Sequence, residues 1–222
     1  MRLLLLFLLL SASLLAQQAE TTRFASEIDA FEAADRENPV PEGVILFTGS
    51  SSVRFWESLA DDFPDYRVLN RGFGGSEFSD LIHYADRVIY PYRPSVIFVY
   101  EGDNDINAGD TPQEVLDQAR ELRGMIATAL GDTIPVVFIS PKPSVARWQL
   151  RERYEEANAL LEDYADATPH TYFADVWTPA LRADGEVRDD IFVGDNLHMN
   201  AKGYAIWREV LGGWVRQLMA AP

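Results

Sequence analysis

The chain has 222 residues, no cysteine and a formal net charge of -16. Its length suits one domain with a real core, and the lack of cysteine excludes disulfide bracing. The acid excess disfavours nucleic acid or an anionic membrane surface as a partner, because both would repel it.

The opening residues, MRLLLLFLLLSASLLAQQ, set one Arg before an apolar run over 3–10 and small residues ending near Ala16. This is the layout of a secretory signal peptide over 1–16, with cleavage expected after Ala16 and Ala19 as the second site. The run is shorter than the roughly 20 residues that cross a bilayer, and no Cys follows it to carry a lipid. The expectation is an exported protein, periplasmic or secreted, without a stable membrane anchor. Residues 17–43 read as an N-terminal helical segment, with a helix over 24–36 carrying Phe24, Ile28 and Phe31. Residues 44–222 read as one domain with no internal repeat or linker.

Short apolar runs rich in β-branched residues follow at 44–47, 95–100 and 134–139, with a weaker one at 171–174 and a fifth at 67–69. Bounded by turn residues, they predict buried strands. Helical spacing fills the intervals: a helix from near Glu77, one over 114–130 with Thr111 as cap and Pro112 at its first position, then 148–167 and 201–219. Alternating strands and helices predict five parallel strands in a three-layer α/β/α sandwich. In such folds ligands sit beyond the carboxyl ends of the strands, so the segments after each strand hold the candidates.

After the first strand comes Thr48-Gly49-Ser50-Ser51-Ser52, where a Ser at a helix start has backbone N–H groups beside it. Taken alone it fits helix capping better. After the second stands Asn70-Arg71-Gly72-Phe73-Gly74-Gly75-Ser76, which exposes backbone N–H groups or simply forms a flexible turn, and lacks the spacing of a phosphate loop. The third ends in Glu101-Gly102-Asp103-Asn104-Asp105, where the Asn104 carboxamide can donate to a developing oxyanion or simply turn the chain. Asp103, Asp105, Asn107 and Glu114 also approximate a calcium loop, with the required Gly one place late at Gly109 and a strand, not a helix, before it. Near the end, Asp195-Asn196-Leu197-His198 precedes the last helix. A carboxylate holding an imidazole fixes its tautomer and frees the other nitrogen as a base; the plain alternative is a helix start capped by Asn200. His83 reads as a helix-face residue and His170 as a loop residue.

These four blocks, in order from Gly49 to Tyr204, resemble those of the SGNH hydrolases, also called GDSL esterases, in a Gly-Ser-Ser-Ser branch. The resemblance implies a flavodoxin-like sandwich and a serine esterase that needs neither metal nor organic cofactor. It implies Ser51 as nucleophile, with Ser52 second, His198 as base and Asp195 as its partner. The implied oxyanion donors are the N–H of Ser51, the N–H of Gly75, with Gly74 the adjacent alternative, and the Asn104 side chain. Ser50 stands where the family usually has Asp. The segment 141–148, Pro-Lys-Pro-Ser-Val-Ala-Arg-Trp, also resembles that branch and suggests a wall of the substrate site. Expected substrates are small acyl esters, with carbohydrate O-acetyl esters or lysophospholipids as alternatives; Phe73, Trp148 and Trp177 could stack on sugar rings or simply pack. A non-catalytic binding protein on the same fold is the rival of a different class.

Overall fold

A computed structural model describes residues 23–220; the expected signal peptide lies outside the described residues. Backbone contacts divide the chain into two units, 1–39 and 40–222. Within the first, helix α1 runs Ala25–Glu37, and Asn38 closes it by donating to the Ala34 carbonyl.

In the second unit strands β1 (Ile45–Gly49), β2 (Val68–Gly72), β3 (Val96–Tyr100), β4 (Val136–Ile139) and β5 (Thr171–Ala174) form one parallel sheet in the order β2-β1-β3-β4-β5. The expected three-layer α/β/α sandwich is the fold observed. Every residue of β1 and β3 is buried, as parallel strands covered on both faces must be. Their registers place Phe47 beside Phe98, with rings stacked at 4.5 Å. On one face Ile45, Phe47, Phe98 and Tyr100 join Trp207, Leu211 and Val215 of the last helix in a single apolar cluster.

Helices α2 (Ser51–Arg54) and α3 (Leu59–Asp62) follow β1, α4 (Phe78–Val88) follows β2, and α5 (Asp103–Ala108) and α6 (Pro112–Leu130) follow β3. Helix α7 (Arg151–Ala167) links β4 to β5, and α8 (Ala201–Met219) ends the described chain. Thr111 and Glu114 cap α6 reciprocally, the device that Thr111-Pro112 announces. The expected 148–167 helix begins one turn later, because Trp148–Leu150 is a 3-10 turn.

Gly49 is the tightest point in the sheet. Its φ is 115°, and a side chain there would meet the Tyr100 carbonyl oxygen at 2.1 Å. Glycine is therefore obligatory, and the Ser50 N–H donates to that same carbonyl at 3.0 Å.

Just past β3, Glu101 is wholly buried and accepts from Ser76 Oγ at 2.6 Å, while its second oxygen has no partner among the described residues. Burial, then the nearby Asp105 carboxylate, pushes its carboxyl well above the usual range. A raised folded pKa makes folding take up a proton, so stability present below the unfolded value of about 4.3 is lost as pH rises towards the folded value. Glu101→Gln, which has no proton to gain, should raise Tm relative to wild type by more at about pH 8 than at about pH 4. Thermal melts at the two pH values measure this, and a pH-independent difference would contradict it.

Candidate active site

The strand order reverses direction between β1 and β3, and open α/β sheets form their ligand crevice at such a point. Ser51 is the first residue of α2, just beyond β1, and Asn104 lies in α5, just beyond β3. His198 arrives from far along the chain on a narrow hairpin. Phe192 and Met199 form an antiparallel bridge, the Val193 N–H donates to the His198 carbonyl at 2.8 Å, and Asn196 turns the chain with φ 59°. Asn200 anchors this hairpin with its amide on the Asp190 and Phe192 carbonyls, while its Oδ1 caps α8. The plain reading of this segment, a helix start capped by Asn200, is what the structure shows.

The structure brings Ser51, His198 and Asp195 into one chain of hydrogen bonds. Ser51 Oγ lies 3.0 Å from His198 Nε2, and His198 Nδ1 lies 2.6 Å from Asp195 Oδ2. An ionised carboxylate only accepts, so Nδ1 carries the proton and Nε2 is left to accept from the Ser51 hydroxyl. The other Asp195 oxygen accepts the N–H groups of Leu197 and His198, each at 2.9 Å. Slight desolvation would raise this carboxyl, but the His198 hydrogen bond and the two N–H groups outweigh it and bring it down to about 2. A serine so placed can lose its proton to the imidazole as it attacks an electrophile.

Asn104 stands across the site. Its Nδ2 donates to Ser50 Oγ at 2.7 Å and to the Ser76 carbonyl at 2.9 Å. Ser50 is buried and meets this amide as a neutral hydroxyl. Gly75 is half-buried in the same loop with φ 74°, a left-handed conformation that suits glycine, and open space lies where a side chain would project. The Phe55 ring, 44% exposed, meets the His198 ring edge-on at 5.0 Å.

The carboxylates of the calcium-loop alternative are engaged in separate places. Asp103 binds Lys142 and Arg147, Asp105 accepts the N–H groups of Phe78 and Gly102, and Glu114 caps α6. His83 lies on α4 and His170 in the turn before β5, and Trp148 stacks on Trp177 at 5.9 Å. Phe73 is fully buried, a packing residue and not a platform for sugar.

Sequence reasoning missed a buried polar node. Asp103 binds Lys142 Nζ at 3.2 Å, Arg147 Nη1 at 2.6 Å, Tyr100 Oη at 2.7 Å and Tyr154 Oη at 2.9 Å. Burial alone would raise its carboxyl, yet Lys142 and Arg147 hold it far below the usual range. Two cations in one proline-rich loop of an acidic chain were the available signal.

No curated protein matches the chain. Among solved structures, a candidate platelet activating factor from Streptococcus pneumonia superposes with a TM-score of 0.76 at 19% identity, covering 92% of this chain and 98% of its own. A GDSL-like lipase from Bacteroides thetaiotaomicron gives 0.69 at 17% identity over 90% and 98%. A variant acetylxylan esterase from Geobacillus stearothermophilus gives 0.62 at 13% identity over 81% and 95%. These likenesses bear on the fold, whereas the profile of the GDSL-like lipase/acylhydrolase family matches residues 39–206 of the sequence itself. The chain belongs to that family, hydrolases that act on esters.

Proposed function

We propose that the chain is a serine esterase that cleaves small acyl esters through an acyl-enzyme. The observation that carries this reading is the 3.0 Å approach of Ser51 Oγ to His198 Nε2, with Asp195 2.6 Å behind the ring. Ser51 Oγ attacks the carbonyl carbon while its proton passes to Nε2. The imidazolium, steadied by Asp195, then protonates the alcohol oxygen as the ester C–O bond breaks. Water repeats the sequence on the acyl-enzyme and releases the acid. The oxyanion is held by the N–H groups of Ser51 and Gly75 and by the Asn104 amide, donors worth about 100- to 1000-fold each in rate. Export of the mature chain is part of the same proposal and rests on the leader sequence alone.

A carbohydrate O-acetyl ester is the second reading, and Phe55 favours it. His198 delivers a proton to the leaving oxygen, so groups beside the imidazole flank the alcohol half of the substrate. An exposed ring there offers a flat apolar surface to a sugar. The Geobacillus neighbour, an acetylxylan esterase, shares the fold.

Ser51→Ala should abolish hydrolysis of p-nitrophenyl acetate and labelling by a fluorophosphonate, with the thermal melt unchanged; retained turnover would exclude Ser51 as nucleophile. Nε2 must be unprotonated to act, and Asp195 stays ionised down to about pH 2. kcat/KM should therefore fall on acidification while Asp195 stays ionised, and a flat profile would remove His198 as base. Phe55→Ala should lower kcat/KM for acetylated xylooligosaccharides about 3- to 10-fold more than for ethyl acetate. Equal losses on the two substrates would discard the sugar-facing role.

A further inference from the structure

A carboxamide is a two-ended group: rotating it by 180° exchanges a donor for an acceptor at almost no change in shape. An oxyanion needs the NH2 end, so something must decide which way Asn104 faces. Its Nδ2 meets Ser50 Oγ, which can donate or accept, and the Ser76 carbonyl, which only accepts. Its Oδ1 receives Arg147 Nη2 at 3.0 Å. A guanidinium has no acceptor, so a reversed amide would set donor against donor at Arg147 and acceptor against acceptor at Ser76.

Arg147 is itself held rigidly. Its Nη1 donates to the Asp103 carbonyl at 3.0 Å and to Asp103 Oδ1 at 2.6 Å, while Lys142, Tyr100 and Tyr154 occupy the rest of that carboxylate. The guanidinium side chain is 13% exposed and that of Asp103 6%. One planar fork thus spans two consecutive residues of α5, gripping Asp103 with one nitrogen and turning Asn104 with the other. A charge-assisted hydrogen bond on the amide oxygen also polarises the amide and strengthens its N–H donors. Lys142 and Arg147 against the single Asp103 carboxylate leave one net positive charge behind the donor, in surroundings that screen it little.

We propose that Arg147 is a positioning residue for oxyanion binding, acting through Asn104. As the tetrahedral oxyanion forms, one Asn104 N–H moves from Ser50 Oγ to the oxyanion, while the Ser76 and Arg147 contacts stay in place. The function rests on the esterase reading; the amide orientation does not. Lysine cannot replace the fork, because an ammonium on a flexible stem is a point charge without two parallel donors.

The test compares wild type, Arg147→Lys, Arg147→Met, Asn104→Ala and the Arg147→Met/Asn104→Ala pair, using p-nitrophenyl acetate turnover, fluorophosphonate labelling rate and the side-chain amide NMR signals of Asn104. Arg147→Met should lower kcat about 10- to 100-fold, less than the roughly 100- to 1000-fold of an oxyanion donor lost outright, because the amide stays but is misoriented, with KM changed less than about twofold. Arg147→Lys keeps a charge opposite Asp103 and should fold, with a smaller loss in kcat. In the Asn104→Ala background, Arg147→Met should cost under about twofold more, since its target is gone. Equal losses with and without Asn104, or wild-type kcat in Arg147→Lys, would overturn the proposal. The NMR signals separate this idea from the reaction itself. A slowly exchanging Asn104 pair in wild type that broadens in Arg147→Lys supports the orientation even in a protein that turns over no ester, and an identical pair in both proteins refutes it.

Discussion

The meeting of β1 and β3 at Gly49 and Tyr100 governs everything at this edge of the sheet. A side chain at 49 would lie 2.1 Å from the Tyr100 carbonyl oxygen, so the two strand ends approach as closely as backbone allows. The Ser50 N–H bonds that carbonyl, and the Phe73 N–H bonds the Gly49 carbonyl. Three loops therefore leave the sheet from one knot of backbone. Ser51 and Asn104 are thus placed by strand pairing, each just beyond a strand end. The imidazole is brought to this knot by α8, whose Tyr204 donates to the Ser52 carbonyl at 3.0 Å and stacks on Trp56. The Ala146 N–H joins the β4 loop to the His198 hairpin through the Asn196 carbonyl.

A buried ion cluster is a costly element to put beside a site. Desolvating Asp103, Lys142 and Arg147 offsets much of their mutual attraction, so such clusters are poor stabilisers in net terms. What they supply is specificity of arrangement. Every Asp103 oxygen accepts from donors on β3, the β4 loop or α7, so the carboxylate ties the three elements together. Asn104, next in sequence, inherits that precision. Removing one partner would leave a buried charge uncompensated, which is far costlier than never having built the pair.

Much of this was legible in the sequence, and the reason is local. The β-branched runs announced the strands, Thr111-Pro112 announced α6, and Asp195 three residues before His198 announced a carboxylate–imidazole pair. Those signals depend on neighbours in the chain. Arg147 and Asp103 are separated by 44 residues, and nothing in Pro-Lys-Pro-Ser-Val-Ala-Arg says which carboxylate its cations will find. The edges of β2 were illegible for a related reason: Asn70-Arg71-Gly72 reads as a turn, yet pairing with Phe47, Thr48 and Gly49 extends the strand through it. Tertiary contact overrode local preference there. Helix α5 was hidden likewise, since Asp-Asn-Asp is turn-like until Asp105 accepts the Phe78 and Gly102 N–H groups.

The charge of the whole chain and the charge at the site have opposite consequences. A net -16 should oppose a reaction that builds negative charge on an oxygen, and Glu101, Asp103 and Asp105 stand within three residues of Asn104. Each is silenced differently. Burial raises the Glu101 carboxyl well above the usual range, desolvation pushes Asp105 up to about 7, and Asp103 is outnumbered by two cations. Ser50 contributes a neutral hydroxyl at 2.7 Å from the amide, where a carboxylate would have added a negative charge. The remaining acids lie largely in solvent, where screening over about 10 Å at ordinary ionic strength weakens their reach. The field around the Asn104 amide is therefore set by Arg147, Lys142 and oriented N–H groups more than by the acidic composition of the chain.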